Sequence, residues 1–442
     1  INLQQKINLI KMKFIKLAKE LFPIHRSITG TGVRKTLRII KTKHLPDLKI
    51  KKVKSGTKVF DWKIPPEWNI KDAYLKDESG KKIIDYKNNN LHVISYSKKI
   101  NRVISRKELN KHLFSIANKP QAIPYITSYY KPFWGFCIAH KDRKKIKGKK
   151  FFAHINSTHN NRGYLNYGEL YLRGDSTKEI LITTYICHPS LANNEISGPV
   201  VSTFLAKHFK KIKKRYSIRF IFIPETIGSI LYISKNLEKL KKNVIAGYNL
   251  TCIGDERNYS FIPTRHGNTL SDRAALEAFR KLKIKFKHYS FLDRGGDERQ
   301  FNSPNIDIPV AVLMRTRFGD YPEYHTSLDN FNLVSEKGLK GGFKIAKKAI
   351  DIINTKTLPI TNIACEPMIS KRKLQSTIST GILPTETRHL KNFLAYCDGK
   401  NDLDEIRNII KISRKKINKI LRILVKKKAN QNMFWNKETS QW

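Results

Sequence analysis

Apolar and polar positions alternate with two different periods along this chain, and the change of period marks its parts. From about Gly168, stretches of period two and stretches of helical period take turns, the signature of an α/β layer structure. Glu179 to Ile186 reads as a strand, Pro199 to Ile212 as a helix, and Tyr216 to Ile223 (YSIRFIFI) as a strand so continuously apolar that both of its faces must be covered. Ser229 to Leu240 reads as a helix, Val244 to Leu250 as a strand, Thr269 to Leu282 as a helix, Ile308 to Met314 as another buried strand and Glu336 to Ile353 as a closing helix. The pattern predicts a three-layer α/β sandwich around a largely parallel or mixed sheet.

The flanking textures differ. Ile7, Ile10, Phe14, Leu17, Ala18 and Leu21 fall on one face of a predicted N-terminal helix, and the turn RSITGTG leads into a second helix ending near Lys43. From about Lys49, short alternating runs broken by Ser-Gly, Pro-Pro and Asn-Asn-Asn predict a small β-rich unit. Its last part concentrates Tyr125, Tyr129, Tyr130, Phe133, Trp134 and Phe136, either as core or as the lining of a groove. Beyond Pro359 the chain is loop-like until Leu383. Three short helical patterns follow, Glu386 to Cys397, Leu403 to Lys411 and Arg414 to Lys427, a layout that suits a winged helix-turn-helix or a small helical bundle.

Composition narrows the class. A chain of 442 residues has room for two or three domains. No apolar run reaches the ~18 residues that span a bilayer. The five cysteines are scattered, odd in number and without C-x-x-C pairs, which argues against a disulfide framework or a structural zinc module and fits a cytoplasmic protein. The lysine-studded N-terminus has no small-residue cleavage site and is not read as a signal peptide. A formal net charge of +50 suggests nucleic acid or an anionic membrane surface as partner. The lysines are nevertheless spread along a chain also rich in Ile and Asn, so solvated faces compete with polyanion contact at the clusters Lys141 to Lys150 and Lys210 to Arg215.

The ionisable residues of interest follow the strands. His188 and Glu195 come after one strand, Glu225 after YSIRFIFIP, Asp255 and Glu256 after VIAGYNLTCIG, Asp297 and Glu298 in LDRGGDERQF, and His325 in EYHTSLDN after PVAVLMRTRFG. Segments ending in imidazoles or carboxylates converge on one sheet edge, where open α/β folds place their sites. This is the pattern of a metal-assisted hydrolase, in which His and carboxylates hold Zn²⁺ and a nearby carboxylate takes a proton from water. Tyr324 beside His325 lies in the same loop. Arg26, Ser27 and Thr29, beside two glycines, could hold an anion or substrate carboxylate or simply shape a helix-connecting loop.

RSITGTG, FDWKIPPEWNI, IPYITSYYKPFWGFC, YGELYLRG, TYICHPSLANNEISG, PETIGS, GGDERQF and EYHTSLDN together resemble, in order and over nearly the whole chain, a bacterial zinc aminopeptidase-like family of unknown function. The resemblance implies a phosphorylase/hydrolase-like sandwich, related to the co-catalytic zinc exopeptidases, split by a small β domain and followed by a winged helix. On this chain that gives residues 1–48 and 163–358 to the aminopeptidase-like domain, 49–162 to the inserted β-rich domain and 380–442 to the winged helix. It also implies that His188 and His325 are the metal histidines and Glu225 the general base, with Asp297 in a turn near the site.

Three positions depart from the family pattern. Asn194 stands where a bridging aspartate is usual, with Glu195 next to it; Thr226 follows the base where the wider exopeptidase pattern has a second Glu; and Thr251 occupies a metal-aspartate position. A neutral amide cannot bridge two Zn²⁺ as a carboxylate does. The expectation is one zinc or none, held by His188 and His325 with Asp255 or Glu298, in a hydrolase acting on a peptide or small amide with a free amino group. Asp297, Tyr324 and Arg26 are the candidate substrate contacts. The alternative is a degenerate hydrolase fold kept as a binding or regulatory protein, contacting nucleic acid through the winged helix.

Overall fold

The structure, a computed structural model, describes residues 13–361, 363–372, 374, 381 and 383–426. The predicted helix-face residues Ile7 and Ile10, and Lys427 at the end of the third tail helix, lie outside the described residues.

The apolar strands build an 8-stranded sheet. Its strands are β1 (Lys49–Lys54), β2 (Tyr164–Leu172), β3 (Ser176–Tyr185), β4 (Tyr216–Ile223), β5 (Val244–Leu250), β6 (Ser260–Ile262), β7 (Lys287–His288) and β8 (Val310–Met314), in the spatial order β1-β2-β4-β3-β5-β8-β6-β7. β4, β3, β5 and β8 run parallel in the centre, β2 and β6 are antiparallel to their inner neighbours, and β1 closes one edge antiparallel to β2. Every residue of β4 is buried, as its unbroken apolar run demands. β1 contributes Lys49–Lys54 to this sheet, so the change of texture at Lys49 precedes the point where the chain leaves the central sheet.

Helices α1 (Phe14–Leu21), α2 (Thr31–Lys43), α3 (Ser197–Lys210), α4 (Ile227–Asn243), α5 (Leu270–Leu282) and α6 (Glu336–Thr355) cover the sheet. Phe14 of α1, Phe204 of α3, Phe279 of α5 and Phe343 of α6 share one apolar core with the first face of the sheet. Ile227, Ile230 and Leu231 of α4 pack with Leu181, Ile221 and Val310 on the other face, together with Trp68 and Tyr96 from the β-rich segment. The result is the three-layer sandwich that the periods predict.

Between β1 and β2 the chain makes a separate antiparallel sheet from Lys82–Asp85, Glu67–Lys76, Lys150–Asn160 and Ile100–Ser105, adjacent in that order, with its own core of Ala73, Leu75, Ile104, Phe151 and Ala153. After α6, helices α7 (Thr385–Ala395), α8 (Leu403–Ile409) and α9 (Arg414–Lys426) enclose a small core of Leu390, Phe393, Ile406, Ile417 and Ile420. This is the C-terminal winged helix. It is tied back to the sandwich where Arg273 of α5 reaches Glu405 at 2.6 Å.

Buried polar groups inside the layers are paired. Arg219 on β4 donates from Nε to Glu179 Oε2 at 2.5 Å and from a terminal nitrogen to Glu179 Oε1 at 2.7 Å, and also bonds Glu169. Tyr232 of α4 donates to the same Glu169 at 2.7 Å. An arginine in so apolar a strand is tolerated because two adjacent strands each supply a carboxylate.

Candidate metal and hydrolase site

The carboxyl ends of the parallel strands do converge. β3 ends at Tyr185 and the chain passes through Cys187 and His188 into a π-turn, Ala192–Ile196, from which α3 starts. The turn is fully buried, and the loop from β8 holds it: Asp329 accepts from the backbone N–H of Asn193 at 2.6 Å and of Asn194 at 3.0 Å. Burial pushes the Asp329 carboxyl up to about 7, against those two bonds.

His188 is oriented from behind. Its Nδ1 lies 2.7 Å from Glu195 Oε2 in a buried bond, and Arg26 Nε stands 3.8 Å from the other Glu195 oxygen. The pairing makes Nδ1 the donor and leaves Nε2 facing the cleft, 3.5 Å from Glu225 Oε2. Burial alone lowers the His188 pKa; the charge and hydrogen bond of Glu195, with Glu225 beyond, outweigh it and leave a net rise. Glu225 follows β4 and keeps 24% of its side chain exposed, so it is open to a substrate or water. Burial raises its pKa, against the cationic His188 and Arg299 nearby.

Glu225 owes its position to a strained turn. Thr226 has φ 63°, a conformation that costs a β-branched residue free energy, and its N–H donates to Asp297 Oδ1 at 2.8 Å. Ser229 Oγ adds a second donor to that oxygen at 2.9 Å. Asp297 is thus a buried clamp behind the base and does not line the cleft; burial first, and Glu225 second, hold its carboxyl well above the usual range.

The second histidine arrives on the loop after β8. His325 has φ 53°, stacks on Tyr324 with centroids 4.0 Å apart, and stands 5.6 Å from His188, ring centre to ring centre. Its Nε2 is buried without a hydrogen-bond partner. Burial and the neighbouring His188 hold its pKa down to about 3, so the ring is neutral. Tyr125 touches both imidazoles, at 5.1 Å from His188 and 5.2 Å from His325. The β-rich segment therefore reaches into the site, and its aromatics divide between roles. Phe136 is core, whereas Tyr129 and Tyr130 line the cleft with Trp62, Ile28, Cys187, His188, Glu225 and Arg299 around about 280 Å³. A larger cavity of 520 Å³ lies between α2 and Trp68, but no carboxylate lines it.

Several residues singled out from the sequence do not line the cleft. Arg26 is 1% exposed and donates to the backbone oxygens of His188 at 2.9 Å and Leu21 at 2.7 Å, so no substrate can reach it. Asp255 is fully buried, with its oxygens taken by Thr316 Oγ1 at 2.6 Å, Thr316 N at 2.9 Å, Arg257 N at 2.9 Å and Asn193 Nδ2 at 3.0 Å. Glu298 accepts from Gly295 N at 2.8 Å, Gly296 N at 2.9 Å and Asn249 Nδ2 at 3.1 Å. Neither carboxylate belongs to the group of ligand atoms around His188. Tyr324 meets His325 face to face. Glu195 does not replace a bridging carboxylate; it orients His188. Asn194 Oδ1 is buried without a partner, and Thr251 Oγ1 donates to Asn194 O at 2.9 Å.

Cys187 was not singled out by the sequence. Among the described residues, Cys187, His188 and Glu225 form the group of His, Cys, Asp or Glu side chains whose ligand atoms all lie within 4.8 Å of one another. The signal available was the Cys-His dipeptide at a strand end.

These donors fit one metal ion and not a pair. Two ions need shared carboxylates, and Asn194, Thr226 and Thr251 offer a neutral amide and two hydroxyls, the hydroxyls already engaged with the protein. One ion has His188 Nε2, backed through Nδ1 by a carboxylate as metal histidines usually are, and the unpartnered His325 Nε2.

Comparison with known proteins agrees with this architecture. A family model described as "Domain of unknown function (DUF4910)" matches residues 15–356, and a winged helix-turn-helix model matches residues 357–429. A Clostridium acetobutylicum protein, provisionally named as a polysaccharide biosynthesis protein with an aminopeptidase-like domain, is 43% identical over 392 residues, covering 88% of this chain and 89% of its own. A crystal structure of a provisionally assigned peptidase from Clostridium acetobutylicum superposes with a TM-score of 0.76 at 39% identity over 96% of both chains. The Bacillus subtilis zinc aminopeptidase BSAP matches with a TM-score of 0.54 at 14% identity, covering 77% of this chain and 95% of that one, which is a likeness of fold.

Proposed function

The chain belongs to the family of that domain of unknown function, with an aminopeptidase-like fold and a C-terminal winged helix, and we propose that it is a single-metal hydrolase of an amide or peptide bond. The observation that carries this reading is the pair of His188 and Glu225: an imidazole fixed by Glu195, its Nε2 3.5 Å from a carboxylate that is open to the cleft.

A zinc-type ion held by His188 and His325 would polarise the amide carbonyl and lower the pKa of water. Glu225 takes the proton of the attacking water at a carboxylate oxygen and delivers it to the leaving amine. Its upward-shifted pKa suits both transfers better than that of a solvated glutamate. Tyr129, Tyr130, Trp62 and Ile28 give the cleft an apolar wall that excludes bulk water and takes up a hydrocarbon part of the substrate. The name of the 43%-identical relative makes an amide on a modified sugar the substrate class to test beside peptides.

The test is metal analysis of protein made in zinc-supplemented medium, with hydrolysis assays on aminoacyl p-nitroanilides and N-acylated aminosugars. His188→Ala loses metal and activity; Glu225→Gln keeps the metal and loses roughly 10²–10⁴-fold in rate. Wild-type protein free of any transition metal would sink the reading.

A second reading has its own support. Arg414, Lys415, Lys416, Lys419 and Arg422 are exposed on α9, and a basic helix of a winged helix-turn-helix fits a phosphate backbone. Binding of duplex DNA whose affinity falls steeply with salt supports it; no binding at low salt removes it.

A further inference from the structure

Cys187 lies at the mouth of β3 with its sulfur inside the candidate site, and the proposed reaction does not use it. It is 1% exposed. Its surroundings differ from those of the other buried cysteines. Cys137 and Cys397 belong to the cores of the β-rich segment and the tail, and Cys252 contacts Tyr321, Thr251 and Asn194. Cys187 alone among the described cysteines shares a group of potential ligands. The Glu225 backbone N–H donates to its sulfur at 3.2 Å, a bond that strengthens when the sulfur is anionic. His188 Nδ1 is 3.4 Å away on the side occupied by Glu195, so the Nε2 lone pair is left for another partner.

We propose that Cys187 is a metal ligand, its Sγ joining His188 Nε2 and His325 Nε2 around one zinc-type ion, where the aminopeptidase pattern uses carboxylates that this chain has replaced with Asn194, Thr226 and Thr251. The inference rests on the single-metal reading of the site. Sulfur and nitrogen ligands of one tetrahedral ion sit at ~2.3 Å and ~2.1 Å from it and therefore about 3.5 Å apart. Cys187 Sγ, a His188 ring nitrogen and a Glu225 carboxylate oxygen already lie within 4.8 Å of one another, and the His325 ring stands 5.6 Å from that of His188, centre to centre. Coordination forms the metal–sulfur bond and breaks the S–H bond, and the proton leaves to solvent. Three protein ligands leave the fourth position to water on the side of Glu225, the arrangement of catalytic rather than structural zinc sites.

The ligand set also answers a question of charge. The thiolate supplies the anion that Asn194 cannot, in a pocket where Asp255, Asp297 and Glu298 accept backbone N–H bonds that hold the surrounding turns. A single thiolate with two neutral imidazoles leaves one net positive charge on the centre. Glu225 offsets it across the cleft.

Titration of the metal-free full-length protein with Co²⁺, followed by absorbance, separates the possibilities. Wild type is expected to bind one Co²⁺ and to show a near-ultraviolet sulfur-to-cobalt charge-transfer band. In Cys187→Ser the band is lost, and Co²⁺ binds at least about 10-fold more weakly, since loss of even an outer-shell partner costs that much. Cys187→Ala replaces the serine variant if that one does not fold. His188-dependent binding of Co²⁺ without a charge-transfer band in wild type overturns the cysteine ligand and leaves the metal reading standing. A band that persists in the Cys187 variants also overturns it, by assigning the sulfur to another cysteine such as the exposed Cys365. Failure of wild type to bind Co²⁺ at all removes the single-metal reading itself.

Discussion

Glu195→Gln tests how His188 is held. The substitution keeps the size and one acceptor oxygen, so the His188 Nδ1–H···O bond can survive, but it removes the carboxylate that stands 3.8 Å from Arg26. Both side chains are fully buried. Arg26 remains cationic, since burial lowers its pKa only to about 10. Removing one partner of a buried pair typically costs ~3–5 kcal/mol because the other charge is stranded. The lower end applies here, since Leu21 O and His188 O continue to accept from the guanidinium. An unfolding entropy of ~2.1 cal/mol/K per residue over the roughly 340 residues of the aminopeptidase-like part gives ~0.7 kcal/mol/K. About 3 kcal/mol then becomes a fall of about 4 °C in melting temperature, read by calorimetry or near-UV circular dichroism. The double variant Arg26→Gln, Glu195→Gln should recover a good part of that loss, because no unpaired charge remains. Loss of the carboxylate behind a metal histidine should also weaken metal binding ~10–100-fold. A Glu195→Gln protein that melts within about 1 °C of wild type would refute the buried-pair argument.

Two further predictions concern the scaffold and its pH dependence. Arg219→Gln leaves Glu179, 1% exposed, without its bidentate partner, and is expected to destabilise by about 3–5 kcal/mol in denaturant unfolding; Arg219→Met with Glu179→Leu should regain most of it, and equal loss in both proteins would contradict the pairing. Asp329 has a folded pKa of about 7 against an ordinary 3.8, so the folded state binds its proton more tightly. Its contribution is fully present below about pH 4 and lost as pH rises through about 7. The stability difference between wild type and Asp329→Asn should therefore grow as pH falls from 8 to 4, by up to about 4 kcal/mol at ~1.36 kcal/mol per unit. A difference that does not change with pH would show that Asp329 is ionised throughout.

The layers of the fold were legible in the sequence, and the loops were not. YSIRFIFI appears as β4 at Tyr216–Ile223, and Val244–Leu250 as β5, because a strand buried on both faces reads as a nearly continuous apolar run. β6 and β7 escaped notice for the opposite reason, since Ser260–Ile262 and Lys287–His288 are too short to show a period, and the lysine-rich edge strand β1 was read as part of the β-rich unit and not of the central sheet. The positions of His188, Glu225 and His325 at one sheet edge followed from strand order. The directions of their neighbours did not. Thr226 and His325 adopt positive φ, and such turns decide whether the next side chain faces the cleft or the protein, which residue spacing alone does not encode.

The acids around the site show why one ion is the physical limit. A sequence with Glu195, Asp255, Asp297, Glu298 and Asp329 near two histidines looks rich enough in carboxylates for two divalent ions. In the folded chain each of these accepts hydrogen bonds that hold a loop or a histidine in place: Asp255 ties the turn after β5 to Thr316, Asp297 the turn at Thr226, Glu298 the two glycines before it, Asp329 the π-turn, and Glu195 the His188 ring. Burial first, and Glu225 second, hold the Asp297 carboxyl well above the usual carboxylate range. Two divalent ions would bring four positive charges against Glu225 and the Cys187 thiolate, and the surplus would be unscreened in a buried site. One divalent ion meets these two anions with no surplus. The charge that a second ion would need has been committed to the architecture, and for that reason Glu225 and Cys187, rather than the more conspicuous acids, decide what the site can bind.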